Sequence, residues 1–241
     1  MEYNGNKYES DLDQEGISYF YLSDDKWAYS STGLYFGNSE ADYIATNTFS
    51  LNITGPHFYQ TARLSPSSLK YYGLCLLNGN YNVKLHFAEI MFSNDQTFSS
   101  LGRRIFDVSI QGRKYLSDFN IMEEAGGVGE GIVKDFNVDV NDNSLEIHLY
   151  WAGKGTTAIP NRGVYGPLIS AISVTPNFKL SPSKGLSAGA IVGIVVAVLF
   201  VILILILFVL RKMGFLLGGK NHKDKGKIRI KNQTGVSDDE M

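Results

Sequence analysis

Between Gly185 and Leu210 the chain has no charged residue, and Ala188–Leu210 reads AGAIVGIVVAVLFVILILILFVL. At about 1.5 Å rise per residue, a helix over these residues would span roughly 35 Å, enough to cross a ~30 Å hydrocarbon core with modest tilt. In lipid every backbone polar group must be paired internally, and a helix does this whatever its β-branched content. The alternative, a buried core helix or strand, would have to hide the whole uncharged run inside a soluble domain of this size. Arg211-Lys212 closes the segment, and from Arg211 onward eight Lys or Arg face four acids, a balance of +4 within a chain of net charge −2. Basic residues at that flank predict a cytoplasmic carboxyl terminus. Gly185, Gly189, Gly193 and Ala197 recur at four-residue intervals, a spacing of small residues that lets two membrane helices approach and dimerise.

The part before this helix is mildly acidic. A nucleic-acid footprint should be basic and should lie on the folded part, so nucleic acid is excluded as a partner. Residues 1–178 show short runs of alternating character: Tyr81-Asn82-Val83-Lys84-Leu85-His86-Phe87, Leu145–Trp151, and Ile132–Val140 with Ile132, Phe136, Val138 and Val140 on one face. Period-two alternation is the signature of strands with one covered face. Ile105–Ile110 and Leu168–Val174 are shorter strand candidates, while Leu64–Leu74 could give a helical turn or two. Asn78-Gly79-Asn80, Gln111-Gly112 and Asn141-Asp142-Asn143 are turn chemistry, since Asn and Gly tolerate positive φ. The expected class is all-β, an antiparallel β-sandwich or jelly roll followed by one transmembrane α-helix. The divisions expected are a domain over 1–178, a linker at 179–187, a transmembrane helix at 188–210 and a basic cytoplasmic juxtamembrane tail at 211–241, disordered after Lys212.

No catalytic, metal or cofactor site is predicted. His57, His86, His148 and His222 have no metal-ligand spacing with Cys or acids, though His86 and His148 fall at strand positions that should face solvent or a ligand. Gly185–Gly189 matches G-x-S-x-G, but a nucleophile elbow joins a strand to a helix in a hydrolase sheet, and here the match opens an apolar helix. Gly126–Gly131 lacks the order of a phosphate-binding loop. Asp24-Asp25 and Glu123-Glu124 read as solvated loop acids, and Cys75 is a lone thiol. Abundant Tyr and Phe favour binding instead, because flat apolar faces suit sugar rings and protein partners equally.

Several runs carry a family resemblance: Trp27–Gly33, Tyr59-Gln60-Thr61-Ala62-Arg63-Leu64-Ser65-Pro66, Tyr72–Leu76, His86-Phe87-Ala88-Glu89-Ile90-Met91-Phe92, Gly102–Val108 and Gly163–Ile172. Together they closely resemble the malectin domain of plant leucine-rich-repeat receptor-like serine/threonine kinases, over about residues 1–178. The resemblance implies a carbohydrate-binding-like sandwich outside the cell, on a receptor of the plasma membrane. Members usually begin with a strand bearing Asn-Cys-Gly-Gly, and this chain starts just after it, which would leave Cys75 without a partner and one sheet without its first strand. The signal peptide, repeats and kinase domain of the family are not in the sequence, so no enzyme activity is expected.

By the same resemblance Tyr59 and Phe92 match two aromatic positions that hold a disaccharide in the animal protein naming the family, and Tyr19 matches a third. Met91 stands where another aromatic is expected and Tyr165 near the place of a sugar-binding aspartate, a loss worth roughly 1.5–3 kcal/mol of charge-assisted hydrogen bonding. Three readings stay open: an ectodomain binding a cell-wall or N-glycan-type carbohydrate or an extracellular protein or peptide; a spacer that pairs with a co-receptor or forms a receptor dimer; and a non-functional fragment. Asn52-Ile53-Thr54 is the one sequon before the membrane helix, and its use would require a lumenal domain.

Overall fold

The alternation over Tyr81–Phe87 is realised as a strand in the computed structural model, which describes residues 1–12, 18–23, 26–179 and 188–218. In chain order the strands are β1 (Glu2–Tyr3), β2 (Asn6–Lys7), β3 (Tyr19–Leu22), β4 (Trp27–Thr32), β5 (Ile44–Thr46), β6 (Thr61–Leu64) and β7 (Ser68–Gly73). They continue as β8 (Gly79–Ala88), β9 (Arg104–Ile110), β10 (Arg113–Phe119), β11 (Gly131–Val140), β12 (Leu145–Gly155), β13 (Leu168–Ile169) and β14 (Ala171–Pro176). The helices are α1 (Ile121–Ala125) and α2 (Ala188–Gly218), and two 3-10 turns lie at His57–Gln60 and Phe98–Leu101.

A six-stranded sheet runs β10-β9-β12-β7-β4-β3; β11-β8-β14 and β13-β6-β5 form three-stranded sheets, and β1-β2 a separate hairpin. The pairings are antiparallel. Inward residues of the six-stranded sheet (Leu69, Val108, Ile147) share one core with those of β8 (Val83, Leu85, Phe87) and β6 (Ala62, Leu64). Phe87, Phe106 and Phe119 interlock across the layers at centroid distances of 5.0–6.0 Å. This is the antiparallel sandwich that period-two patterning predicts.

Turn chemistry places the strand ends. Gln111 and Gly112 both take positive φ, 51° and 72°, and close the two-residue hairpin that pairs Ile110 with Arg113. Leu64–Leu74, expected to offer helical turns, is instead the end of β6 and all of β7. Pro66 disfavours the α region for the residue before it, and Leu69 and Tyr71 then share one buried face at period two. Leu168–Val174 is split at Ser170, where the chain passes from β13 to β14.

The chain divides into two compact units, Met1–Leu180 and Ser181–Met241. In the second, α2 carries one span long and apolar enough to cross a membrane, Val192–Met213. Its 22 residues measure about 33 Å. The helix does not stop at Leu210 but runs through Arg211 and Lys212 to Gly218. Gly189 is exposed and Gly193 has open space where a Cβ would stand, while Gly185 lies outside the described residues.

Candidate binding site

A cavity of about 490 Å³ opens on the sandwich between the amino-terminal arm, the β3–β4 end of the large sheet and β14. Tyr8 of the arm, Tyr21 of β3, Trp27 and Tyr29 of β4 and Phe58 of the 3-10 turn give it aromatic walls. Arg63 of β6 lies at its base with only 2% of the side chain exposed. Its guanidinium sits 4.3 Å from the centre of the Tyr29 ring. Nε donates to both carboxylate oxygens of Asp11, at 2.9 and 3.0 Å, and Nη2 donates to Oδ1 at 2.6 Å. The Tyr71 hydroxyl also donates to Asp11, at 2.5 Å.

A buried cation must be paired and hydrogen-bonded, and this cluster does both. Burial alone would pull the Arg63 pKa down, but the bonds and charge of Asp11 hold it above its ordinary value. Burial pushes the Tyr71 phenol well up, and the Asp11 carboxylate adds to that. The base of the cleft is thus a fixed cation–anion–hydroxyl triad beside flat aromatic faces.

The residues expected from sequence fall in different surroundings. Tyr19 is half-buried and packs on Tyr29 with ring centres 6.1 Å apart, without itself lining the cleft. Tyr59 is buried, its hydroxyl 3.3 Å from His86 Nδ1, and burial pushes its pKa up to about 12. Phe92 is buried at the loop end of the sandwich, with the Arg104 guanidinium 5.6 Å from its ring centre. Met91 is partly buried against the core, and the Tyr165 hydroxyl accepts the Phe36 N–H at 3.0 Å, tying two loops together. Asn52 is exposed; the Thr54 hydroxyl donates to Glu130 Oε2 at 2.7 Å and accepts the Gly131 N–H at 3.2 Å.

The position of His86 corrects the expectation that it should face solvent or a ligand. It does lie on the outward face of β8, but Phe58, Tyr59 and Tyr8 cover it, leaving it 5% exposed. Burial, and secondarily the charge of Lys84, bring its pKa down to about 4. His148, on the other sheet, is half-buried and hydrogen-bonded through Nε2 to Ser68 Oγ at 2.8 Å.

Sequence reasoning did not single out Asp11, Trp27, Tyr29 or Arg63 as site residues. An arginine between Ala62 and Leu64 in a buried strand does signal a paired cation, but its carboxylate comes from 52 residues away. A second surface is also prominent. Contacts of Tyr35 and Phe36 with Tyr165, and of Arg103 with Thr156, bring loops 33–43, 89–103 and 156–167 to one end of the sandwich. Those loops expose Leu34, Phe36, Phe98 and Leu101.

These features define the class: an antiparallel β-sandwich module with an aromatic-walled side cleft, in a chain whose described residues also hold one helix long and apolar enough to cross a membrane. Residues 1–172 match the Malectin domain model, and the chain belongs to that family. Its relatives include two probable LRR receptor-like serine/threonine-protein kinases of Arabidopsis thaliana. One is 54% identical over 95% of this chain and 22% of its own length, the other 51% identical over 98% and 23%. The chain therefore spans about a fifth of the length of the curated relatives it matches. Among solved structures, the ANX2 ectodomain from Arabidopsis thaliana is similar at 19% identity and a TM-score of 0.42, over 56% of this chain and 39% of that one.

Proposed function

We propose that this chain is a receptor-like, single-pass membrane protein whose malectin domain is extracellular and binds carbohydrate in the cleft, without catalysing a reaction. In this reading residues 188–210 form the core of the transmembrane helix, 179–187 link it to the sandwich, and 211–241 are the cytoplasmic tail at the plasma membrane. The carrying observation is the cleft itself: Tyr21, Trp27 and Tyr29 beside the buried Arg63 and its half-buried partner Asp11. Pyranose rings have apolar faces that lie flat on aromatic rings, and their hydroxyls bond best to charged partners. Tyr19 and Tyr59 serve by backing Tyr29 and Phe58, while Phe92 supports the loop end. The exposed Leu34, Phe36, Phe98 and Leu101 favour a second reading, in which the loop end receives an extracellular protein or peptide such as a co-receptor.

Detergent-solubilised full chain on a plant cell-wall and N-glycan array separates the two. Cleft binding predicts at least a tenfold affinity loss in Trp27→Ala and none in Phe36→Ser; no binding across the array, or binding indifferent to Trp27→Ala, refutes the carbohydrate reading. Orientation is tested by the electrophoretic shift on removing N-linked glycans, which an extracellular domain should lose in Asn52→Gln.

A further inference from the structure

The six-stranded sheet ends in two edges of opposite character. On β10 the pairing with β9 shifts register twice, between Lys114 and Leu116 and between Leu116 and Phe119, and the strand presents the exposed charges Arg113 and Lys114. Bulges and charges are how proteins blunt an edge against further strand pairing. The opposite edge, β3, has neither. Tyr19-Phe20-Tyr21-Leu22 pairs in unbroken register with Ser31, Ser30, Tyr29 and Ala28 and carries no charge, proline or bulge.

The hydrogen-bond phase of β3 follows from its next residue. Ser23 N–H donates to Trp27 C=O at 2.8 Å, so Ser23 and Trp27 are a hydrogen-bonded pair. Antiparallel pairs alternate, so the backbone groups of Tyr19 and Tyr21 turn toward β4 and those of Phe20 and Leu22 turn outward, to an edge that no described strand covers. The same two residues are 61% and 59% exposed. Across the sheet, Phe20 aligns with Ser30, Lys70, His148 and Ser109, a polar outer face. Phe20, at the end of that polar row, and Leu22, beside Ala28 on the next, place two large exposed apolar side chains on an edge without charge or bulge.

We infer that β3 pairs with β3 of a second copy of this chain across a two-fold axis, joining the two large sheets into one. The occupant follows from self-complementarity. Antiparallel pairing centred on Tyr21 sets Phe20 against Leu22 of the partner and Leu22 against its Phe20, so both outward backbone pairs close, giving four N–H···O bonds. Each Phe then meets a Leu on the outer face, an apolar cross-strand pair, and no like charges oppose because the strand has none. A contact four residues long covers far less than the roughly 1,200–2,000 Å² of a stable soluble complex. It should therefore form only between chains held in one membrane, where tethering gives an effective concentration of order mM.

The test uses the full chain in phosphatidylcholine vesicles. Cys75 is the single cysteine, so Cys75→Ser gives a cysteine-free background. In that background Tyr21→Cys should form a disulfide-linked dimer under mild oxidation, because directly opposed non-hydrogen-bonded residues have Cα atoms about 4.5 Å apart, within disulfide range. Phe20→Cys should not, since its own counterpart is displaced two residues along the strand, at roughly 8 Å. Fluorescence self-transfer between otherwise native chains labelled at the carboxyl terminus supplies a readout that leaves Tyr21 intact. There Leu22→Pro removes two of the four donors while sparing the ladder to β4, and should weaken association roughly thirtyfold. Equal cross-linking at positions 20 and 21, no cross-link at 21, or self-transfer indifferent to Leu22→Pro would each overturn the proposal, including the case where the chains pair only through Gly189 and Gly193.

Discussion

His86 makes the stability of the sandwich depend on pH in a way that can be calculated. The unfolded chain should take up a proton on this imidazole near pH 6.5, whereas the folded domain resists until about pH 4, because Phe58, Tyr59 and Tyr8 shut out water. Between those values the unfolded state binds more protons than the native state, so stability rises with pH across the window and is lost as pH falls. The linkage amounts to about 2 kcal/mol by pH 5 and about 3 kcal/mol by pH 4. For a domain of this size that is a drop of about 6–12 °C in Tm between pH 7 and pH 4 from this one group. Replacing His86 with Phe keeps a ring among the aromatic neighbours, leaves Tyr59 the Ile132 carbonyl at 3.5 Å, and removes the titration. Trp27 and Trp151 are the chain's two tryptophans and both lie in the sandwich, so fluorescence-detected guanidinium unfolding in detergent reports on that unit. The difference between wild type and His86→Phe should be flat above pH 7 and change by about 2 kcal/mol by pH 5. Parallel curves for the two proteins from pH 7 to pH 4 would refute the reasoning.

Arg104 and Glu89 form a buried ion pair at 2.8 Å, with Arg104 Nη1 also donating to the Gly166 carbonyl at 2.8 Å. Glu89→Ala strands the cation and should cost about 3–5 kcal/mol, whereas Glu89→Leu with Arg104→Met should cost clearly less, by the same unfolding assay. Gly166 has φ 84° and a Cβ there would stand 2.2 Å from the Ser65 carbonyl oxygen, so Gly166→Ala should lower Tm by several degrees while an exposed control, Gly112→Ala, loses less. Cys75 is exposed and should react with a maleimide at the rate of an unhindered thiol in the folded protein, with no change in the thermal transition.

What the residues alone determined was whatever depends on near neighbours in the chain. The run at Ala188–Leu210 could only be a long apolar helix. The alternation in Tyr81–Phe87, Ile132–Val140 and Leu145–Trp151 could only satisfy water on one side and a core on the other. Gln111-Gly112 could only turn the chain sharply. Period two also marks His86 as outward, correctly, yet outward is not exposed: whether a 3-10 turn and an arm fold over that face is decided by contacts 27 and more residues away. The same limit hid the cleft. Arg63 shows in sequence as a charge inside a buried strand, but its pairing with Asp11 and its seat on Tyr29 arise only when the arm, β4 and β6 converge. Leu64–Leu74 misled for a related reason, since a short apolar stretch fits either period until Pro66 and the register against β4 and β12 select the strand. Local patterns fix which face of an element is apolar; only tertiary packing decides what covers it.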